Sequence, residues 1–566
     1  MKKSSLLLVA AVVCGLMMPG VSEARDPVFF RNGMVVAEEP IAADVGVRVL
    51  RNGGNAVDAA VAVGFALAVT HPFAGNIGGG GFMLVRMADG RTRFIDFREV
   101  APKAAGRDMY LDAKGHPTKE SMVGWKASGV PGTVRGFEAA HKMFGTRSWQ
   151  ELMQPAVDLA SGGIEISHEQ MLAFHDYVDS LSASPESKRI FLHAGGFWQQ
   201  GEVLRQPELA QTLKRIAERG ADEFYEGETA HRLAEEMQKH GGLITLDDLH
   251  AYHATERKAL ETDYKGFHVI TAPPPSSGGA GLVQMLGMLD GSGYEKEGAG
   301  SASSYHELSE VMERFYADRN LYLGDPDFMK SPLDQMLDAS YIHKLQAGID
   351  AAHATPSAVV RKPMTTGADC VVEGNHTTHF NVVDAQGNVV AVTYTINDGF
   401  GSGVTVPGLG FLLNDEMDDF AVKPGCPNLF GLVQGESNAV AAGHRPLSSM
   451  TPTIVLRNGK PFMAVGAPGG SRIITSVMQV MLNVMDFKMN VQQAIDAPRV
   501  HHQWLPDVLE YERGVSPDTL KILAAKGHKV EETQPEVMAC VEGILLDDGW
   551  LQGGHDDRCG GKVAGY

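Results

Sequence analysis

The sequence has little of several things that would assign it to a common class of protein. Its 49 lysine and arginine residues are outnumbered by 69 aspartate and glutamate residues, giving a formal net charge of -20. An acidic chain is a poor partner for nucleic acid or for an anionic membrane surface, so we expect neither. Only 5 cysteines occur in 566 residues, and their wide spacing excludes a CxxC redox or metal motif.

The common cofactor and metalloprotease motifs are also missing. Met83 stands where a GxGxxG motif needs its last glycine, and no Walker motif occurs. Leu172 occupies the second histidine position of a possible HExxH motif. The chain has no Gly-x-Ser-x-Gly nucleophile elbow. We therefore expect no cofactor and no metal ion.

The first 24 residues have the pattern of a secretory signal peptide. Lys2 and Lys3 precede an apolar run over residues 6–18, and the small-residue pattern that ends at Ala24 predicts cleavage after that residue. The run is too short to span a bilayer, and no later segment is long and apolar enough to do so. We expect a periplasmic or secreted protein that does not bind the membrane.

Four cysteines remain after removal of the signal: Cys370, Cys426, Cys540 and Cys559. In an oxidising compartment they permit three pairings, which the sequence does not decide. Cys540 and Cys559 are the preferred pair because they lie in one C-terminal segment.

What is present is a turn-rich α/β pattern, with 65 glycines and 44% hydrophobic residues. Helices are predicted over 40–50 and 56–69, and Ser304 with Glu307 predicts the start of a helix that runs through Arg319. Residues 378–383 and 389–395 form one predicted hairpin, and residues 453–456 and 462–465 form another. We expect an α/β (α+β) fold of four layers, αββα, in which two stacked, mainly antiparallel sheets lie between helices.

The segment from Gly374 to Phe380 marks an abrupt change in sequence character. A polar, irregular stretch over residues 354–373 gives way to a strand pattern that begins at Thr377. Taken alone, Thr377 is most simply a strand residue. If the peptide bond before it were cut, its hydroxyl and its new α-amino group would put a nucleophile and a base on one residue.

Other residues suit acyl transfer at Thr377. Gly469 and Gly470 lie between a strand and a predicted helix over 473–484, where their backbone amides could stabilise an oxyanion. Thr395 ends the strand that pairs with the strand starting at Thr377, so its hydroxyl could reach the nucleophile. Each of them also has an ordinary structural interpretation, a turn or a strand residue.

A second set of residues suits an amino-acid-like ligand. Glu416, Asp418 and Asp419 could hold an ammonium group. Arg98 could bind a carboxylate, with hydroxyl donors from the adjacent residues Ser448 and Ser449. Taken separately, the acids are explained by a solvated turn, Arg98 by a surface ion pair and the serines by a loop. Taken together, they offer a partner for both charges of a zwitterion.

Together these segments resemble the bacterial γ-glutamyltransferase (γ-glutamyltranspeptidase) family of the N-terminal-nucleophile hydrolase superfamily. The motifs follow the family's order over nearly the whole mature chain. They are Gly-Asn-Ala-Val-Asp-Ala-Ala from Gly54, Gly-Gly-Gly-Gly-Phe-Met from Gly78, Asp-Phe-Arg-Glu from Asp96, Pro-Pro-Pro-Ser-Ser-Gly-Gly from Pro273, Thr-Thr-His from Thr377, Met-Asp-Asp-Phe from Met417, Arg-Pro-Leu-Ser-Ser-Met from Arg445 and Pro-Gly-Gly-Ser-Arg from Pro468.

The resemblance implies a proenzyme that cuts itself between His376 and Thr377. The products would be a large subunit, residues 25–376, and a small catalytic subunit, residues 377–566, which together form one αββα unit. The expected substrates are glutathione and related γ-glutamyl compounds. The γ-glutamyl group would pass through an ester on Thr377 to water or to an amino acid or peptide acceptor.

The resemblance also assigns roles by position. Thr377 is the expected nucleophile, with its freed α-amine as base and Thr395 as its hydrogen-bonding partner, and Gly469 and Gly470 form the expected oxyanion hole. The expected binders of the substrate are Arg98, Ser448 and Ser449 for the α-carboxylate, and Asn397, Glu416 and Asp419 for the α-amine.

Two alternatives stay open at this point. One is an acylase-type amidase of the same superfamily, although Asp419 argues against the cephalosporin-acylase branch, where an uncharged residue is expected. The other is an uncleaved, inactive relative that acts as a binding or scaffold protein. The predicted lid loop, residues 421–435, carries Phe430 where the family often has tyrosine, so it keeps the aromatic ring and loses a hydroxyl.

Overall fold

The computed structural model describes residues 25–193, 197–362, 377–534 and 537–566. The predicted signal peptide and His376, on one side of the predicted cut, lie outside this part of the chain. Among the described residues, no helix is long and apolar enough to cross a membrane.

The first sheet contains the predicted hairpin that follows Thr377. Neighbouring strands pair antiparallel throughout. In spatial order the strands are Lys562–Gly565, Met34–Ala37, Thr378–Val383, Val389–Thr395, Gly80–Arg86, Thr92–Asp96 and Thr255–Arg257. The hairpin is confirmed, and Thr378 pairs with Tyr394. Strands from before and after Thr377 therefore pair with one another within one sheet.

The second sheet is also antiparallel and contains the other predicted hairpin. In spatial order its strands are Val28–Phe30, Trp550–His555, Glu542–Asp547, Lys460–Gly466, Thr453–Arg457, Phe267–Thr271 and Leu260–Tyr264. The turn of the hairpin has φ of 54° at Asn458 and 76° at Gly459. Positive φ at both central residues suits an Asn-Gly pair and the twist of the strands, so this hairpin is confirmed too.

Alternation along the strands separates two cores. Val35 and Ala37 pack with the helices on the outer face of the first sheet, whereas Met34 and Val36 pack in the core shared with the second sheet. Successive side chains of a strand point to opposite faces, so one strand can serve both cores. The four-layer αββα arrangement predicted from the sequence is confirmed.

The helices form the two outer layers and their extensions. Against the first sheet lie Pro40–Arg51, Ala56–Thr70, Thr133–Phe144, Trp149–Gly162 and Pro207–Arg219. Gly278–Leu289, Ala302–Tyr322, Arg472–Met485 and Val491–Asp496 pack in the core of the second sheet. In the part of the chain that the structure describes, the other α-helices are His168–Asp176, Val178–Ala183, Pro185–Phe191, Asp222–Tyr225, Glu228–His240, Leu246–Ala251, Leu333–Met336, Ala339–Gln346, Ser357–Val360 and Pro517–Lys526.

The helix Ala302–Tyr322 begins earlier than predicted. Ser301 is its N-cap, because the Ser301 side chain accepts a hydrogen bond from the Ser304 N–H at 3.1 Å. Ser304 therefore lies inside the first turn, and the predicted capping box of Ser304 and Glu307 is wrong. Two serines three residues apart offer the same hydroxyl, and the earlier one caps the helix.

The preferred disulfide is confirmed. Cys540 and Cys559 are bonded, with their Cα atoms 5.8 Å apart. Cys426 is also disulfide-bonded.

Candidate active site

Thr377 is buried directly before the first residue of its strand. Its Oγ1 donates a hydrogen bond to Oγ1 of Thr395 at 3.3 Å. The same Thr395 oxygen accepts the Asn397 N–H at 2.8 Å. Since Thr378 pairs with Tyr394, the register of the hairpin places Thr377 opposite Thr395. The strand pairing thus fixes the two hydroxyls side by side, as predicted.

Gly469 and Gly470 lie in a turn that only glycine fits. Their φ angles are 133° and 57°. A Cβ atom on Gly469 would lie 2.6 Å from the carbonyl oxygen of Met538, and one on Gly470 would lie 2.3 Å from the ring of Phe430. The chain can therefore bring bare backbone amides to this point.

The helix that follows this turn, Arg472–Met485, has no side-chain cap. Ser471 is at the N-cap position, but its hydroxyl donates to Oε1 of Gln503 at 2.7 Å instead of accepting a helix N–H. The N–H groups of Arg472 and Ile473 donate to the carbonyl oxygens of Gly469 and Gly470, at 3.1 and 3.2 Å. The positive end of the helix dipole favours an anion here. This favours an oxyanion site over an ordinary capped turn.

An open pocket, with about 310 Å³ of empty space that includes solvent at its mouth, brings the predicted residues together. Its lining includes Arg98, Thr377, Thr395, Asn397, Glu416, Asp419, Ser448, Ser449 and Gly470. Gly469 is the chain neighbour of Gly470. Residues far apart in the sequence thus meet around one pocket.

The charged residues of the pocket are paired with one another. The Arg98 guanidinium is fully buried and donates to the carboxylates of Glu416 and Asp419. Its Nε also donates to the carbonyl oxygen of Pro446 at 3.2 Å. Arg98, the predicted carboxylate binder, therefore forms one ion-paired cluster with Glu416 and Asp419, the predicted ammonium binders. The carboxylate of a zwitterion can bind on the Arg98 side of this cluster and its ammonium group on the side of the two acids.

A third acid adjoins this cluster. Oε2 of Glu99 lies 3.6 Å from Nη1 of Arg98. Burial raises the pKa of Glu99 to about 7. Burial also raises the pKa of Glu416 well above its ordinary value, in spite of the attraction of Arg98. One guanidinium thus faces three buried carboxylates, and burial raises the pKa of two of them, Glu99 and Glu416.

The sequence matches the Gamma-glutamyltranspeptidase family over residues 42–566. The chain belongs to this family. It is 49% identical over 535 residues to the "Glutathione hydrolase proenzyme" of Escherichia coli (strain K12), and the match covers 94% of this chain and 91% of that relative.

Solved structures show the same relationship. The cephalosporin acylase from Bacillus halodurans superimposes with a TM-score of 0.84 at 27% identity, covering 97% of this chain and 98% of that one. The Helicobacter pylori gamma-glutamyltranspeptidase matches with a TM-score of 0.57 at 38% identity, covering 61% of this chain and 99% of that chain. The N-terminal-nucleophile hydrolase fold implied by the sequence resemblance is thereby confirmed.

Asp418 does not line the pocket of this family member, unlike its neighbours Glu416 and Asp419. Its carboxylate accepts the Ser121 hydroxyl at 2.8 Å and the Leu429 N–H at 2.9 Å. Asp418 therefore joins Leu429 of the predicted lid loop to Ser121. Of the three acids that the sequence offered as ammonium binders, the structure places only Glu416 and Asp419 on the pocket.

Asp415 is a site residue that sequence reasoning missed. Nδ2 of Asn397 donates to the carbonyl oxygen and to Oδ2 of Asp415, at 3.1 and 3.3 Å. Asn397 has φ of 80°, a left-handed conformation that asparagine tolerates better than most residues. Asp415 thus holds Asn397 against the pocket. Its position beside Glu416 was the available signal.

Arg319 is a second residue that the sequence did not reveal. It projects from the helix Ala302–Tyr322 onto the pocket, and its Nη2 donates to Oγ of Ser449 at 3.2 Å. An arginine on a long helix is ordinarily solvated, so nothing in the sequence marked this one.

The predicted lid loop lies over the pocket. Phe430 lines the pocket, and Nδ2 of Asn428 donates to Oδ1 of Asp419 at 3.2 Å. Nε2 of Gln503 donates to the carbonyl oxygen of Gly431 at 3.1 Å. The loop is thus tied directly to a predicted substrate-binding acid.

Away from the pocket, two clusters of described residues hold histidine and carboxylate atoms within 4.8 Å of one another: His306, Glu310 and His528, and Glu313, His502 and Asp507. In the first, Nδ1 of His306 and Nε2 of His528 share a hydrogen bond of 2.7 Å. In the second, Nδ1 of His502 accepts the Trp504 N–H at 3.1 Å. Hydrogen bonds within the protein therefore engage these ring nitrogens.

Proposed function

We propose that this protein is a self-processing γ-glutamyltransferase and glutathione hydrolase. One observation carries the proposal: the hydroxyl of Thr377 shares a small pocket with Arg98 and with the carboxylates of Glu416 and Asp419. A γ-glutamyl group has an acyl carbon, an α-carboxylate and an α-ammonium, and the pocket offers a suitable group to each. The name of the Escherichia coli relative supports the assignment.

The proposed maturation is a cut between His376 and Thr377, giving subunits of residues 25–376 and 377–566. The cut interrupts no strand, because the strand begins at Thr378. The Helicobacter pylori chain matches 61% of this chain, close to the share that residues 25–376 represent. Strands from both proposed subunits lie side by side in each sheet, so the two pieces would stay associated after cleavage.

The chemistry then follows from the positions of the groups. The free α-amine of Thr377 accepts the proton of Oγ1 as that oxygen attacks the γ-carbonyl carbon, and Thr395 orients the hydroxyl. Backbone N–H groups at Gly469 and Gly470 stabilise the oxyanion. The amine of the substrate's γ-amide leaves with the proton that the α-amine of Thr377 had accepted. The resulting γ-glutamyl ester on Thr377 is then attacked by water or by the amine of an acceptor.

The substrate-binding roles are part of the same proposal. Arg98, Ser448 and Ser449 bind the α-carboxylate, while Asn397, Glu416 and Asp419 bind the α-ammonium. The ion pairs from Arg98 to Glu416 and Asp419 support this division, because the carboxylate and the ammonium would then lie next to each other, as they do on one Cα atom.

We also propose that residues 1–24 direct export to the periplasm or the exterior and are removed. The disulfide between Cys540 and Cys559 supports export, since such bonds persist in oxidising compartments.

The direct test is a denaturing gel, N-terminal sequencing and an assay with γ-glutamyl-p-nitroanilide on the purified protein. We expect two bands, a new N-terminus at Thr377 and release of p-nitroaniline that an added dipeptide accelerates. A single full-length band without release would instead support the inactive binding protein and overturn the proposal.

A second candidate is an acylase, favoured by the structural likeness to a cephalosporin acylase. A glutaryl substrate keeps a carboxylate but has no ammonium group, so it would leave Glu416 and Asp419 without a ligand cation. We therefore expect γ-glutamyl-p-nitroanilide to react faster than glutaryl-p-nitroanilide. The reverse order of kcat/KM would identify an acylase.

A further inference from the structure

Arg319 is the second guanidinium group on the pocket, and its partners differ from those of Arg98. Its side chain is 1% exposed. Among the described residues it donates hydrogen bonds to uncharged oxygens: Oγ of Ser277 at 2.9 Å, Oδ1 of Asn320 at 3.0 Å, Oγ of Ser449 at 3.2 Å and Oε1 of Gln434 at 3.4 Å. The carboxylates of Glu416 and Asp419 are paired with Arg98 instead.

A buried charge without an ionic partner is costly. Burial lowers the pKa of Arg319 to about 10, so the group still carries its charge at neutral pH. An anion bound in the adjoining pocket would supply the missing negative charge. The pocket is thus asymmetric: among the described residues Arg98 forms ion pairs with two carboxylates, whereas Arg319 is attracted by Asp419 without pairing directly with it.

The hydrogen bond to Ser449 gives that charge a direction. Oγ of Ser449 accepts a hydrogen bond from the guanidinium, so the hydroxyl proton of Ser449 is left to donate to another group. Because the nearby cation polarises this hydroxyl, an anion is a suitable acceptor for its proton. Ser277 has the same arrangement in the structure, a hydroxyl that accepts a hydrogen bond from Arg319 and donates one to another oxygen. Its Oγ accepts from Nε of Arg319 and donates to the carbonyl oxygen of Ser448 at 2.7 Å.

We propose that Arg319 is a positioning residue for the substrate's α-carboxylate. It acts through Ser449, whose proton it directs toward the carboxylate, and through Ser277, which fixes the backbone at Ser448. Arg319 also provides the carboxylate with positive charge, because the charge of Arg98 is partly balanced by Glu416 and Asp419. This inference rests on the proposed function, since it presumes that the pocket binds a γ-glutamyl group.

The test compares three p-nitroanilides that differ only at the α-carbon: γ-glutamyl, 4-aminobutanoyl, which lacks the carboxylate, and glutaryl, which lacks the ammonium. For Arg319→Gln we expect kcat/KM to fall about 10- to 100-fold on the γ-glutamyl and glutaryl compounds, mainly through KM, because a hydrogen bond to a charged group is lost. The 4-aminobutanoyl compound should change less than about twofold by the same argument. Competition by L-glutamate and by 4-aminobutanoate makes the same comparison without turnover.

Two variants and a control complete the design. Ser449→Ala should lower kcat/KM on the same two substrates as Arg319→Gln does. The double variant should lose little more kcat/KM than Ser449→Ala, because both substitutions remove the same hydrogen-bonded path from Arg319 through Ser449 to the carboxylate. Arg319→Lys should recover part of the activity by restoring the charge. The matched control is Arg314→Gln: Arg314 is buried in the same helix and paired with Glu310, but it is not on the pocket.

The outcomes separate the two proposals. Equal losses on all three anilides, an unchanged KM for the γ-glutamyl compound in Ser449→Ala, or a loss in Arg319→Lys as large as that in Arg319→Gln would overturn the role of Arg319. If Arg319→Gln does not mature into two subunits, Ser449→Ala and Arg319→Lys decide the question. Absence of γ-glutamyl turnover by the wild-type protein would overturn the proposed function itself.

Discussion

Oγ1 of Thr377 lies 3.3 Å from Oγ1 of Thr395 and donates a hydrogen bond to it. The two residues face each other across the hairpin at the end of its ladder. A hydroxyl held by strand pairing keeps its orientation at little entropic cost when it reacts, which is what a nucleophile requires.

Replacement of Thr377 by alanine should abolish both maturation and activity. Without the hydroxyl, neither the peptide bond at residue 376 nor a γ-glutamyl substrate can be attacked. A denaturing gel should show one precursor band, and γ-glutamyl-p-nitroanilide should stay intact. Thr377→Ser, which keeps the hydroxyl, is the control and should retain both reactions at reduced rates. Two bands from the alanine variant would contradict the mechanism.

Thr395→Ala should lower kcat about 10- to 100-fold, because it removes a hydrogen bond that positions the nucleophile and leaves the Asn397 N–H without its acceptor. Thr395→Ser keeps the oxygen and should remain within a few-fold of the wild type. Steady-state kinetics on matured protein measure this. Equal losses in the two variants would show that the methyl group, rather than the hydroxyl, matters.

Asp419→Asn should weaken binding of the ammonium group. The expected result is a rise in KM for γ-glutamyl-p-nitroanilide of about tenfold or more, since a charged partner is replaced by a neutral one. The preference over glutaryl-p-nitroanilide should shrink. Asp418→Asn is the matched control, because the adjacent Asp418 binds Ser121 and Leu429 away from the pocket. If the Asp418 variant lost the same preference, the assignment of Asp419 would be wrong.

Glu38 should make stability depend on pH. Burial raises its pKa from 4.5 to about 8. The folded chain therefore binds the carboxyl proton of Glu38 more tightly than the unfolded chain does. The contribution of this proton to the free energy of unfolding is fully present below pH 4.5 and is lost as the pH rises to about 8.

Glu38→Gln, which cannot ionise, tests this. The Tm of the variant relative to the wild type should rise steadily from pH 5 to pH 8, as measured by thermal unfolding in matched buffers. Glu297→Gln, at an exposed position, is the matched control for the loss of one carboxyl group. A constant difference for Glu38→Gln would refute the prediction.

Loss of the disulfide in a Cys540→Ser, Cys559→Ser double variant should cost about 3 kcal/mol of unfolding free energy, because the bond closes a short loop in the unfolded chain. The residues are 19 positions apart. Urea unfolding measures the change. Substitution is preferable to a reducing agent, which would also act on the disulfide of Cys426. An unchanged midpoint would show that the surrounding strands alone fix this segment.

Much of the fold could be predicted because its signals are local. The Asn458–Gly459 turn and the alternating residues beside it specify a hairpin without reference to the rest of the chain. The helix Ala56–Thr70 is apolar on all sides and is accordingly buried along its whole length. Ser301 was missed as a cap because two serines in the same segment offered the same local signal.

The site was predictable only in part, because its contacts are not local. Arg98 and Asp419 are 321 positions apart, and Arg319 and Ser449 are 130 apart. Motifs identified Arg98, Asp419 and Ser449 as suited to a ligand, but no pattern in the helix Ala302–Tyr322 indicated which of its charged residues reaches the pocket.

The sequence by itself determined which chemical groups are available: a threonine at a strand start, a glycine pair before a helix, and acids, an arginine and serines suited to a zwitterion. Only the tertiary structure decided how they are used. Asp418 and Asp419 are neighbours in the chain, yet one binds the lid loop and the other Arg98. The short 3-10 turn Glu416–Asp419 sends adjacent side chains in different directions, and the packing of distant strands and helices around that turn determines which one meets the pocket.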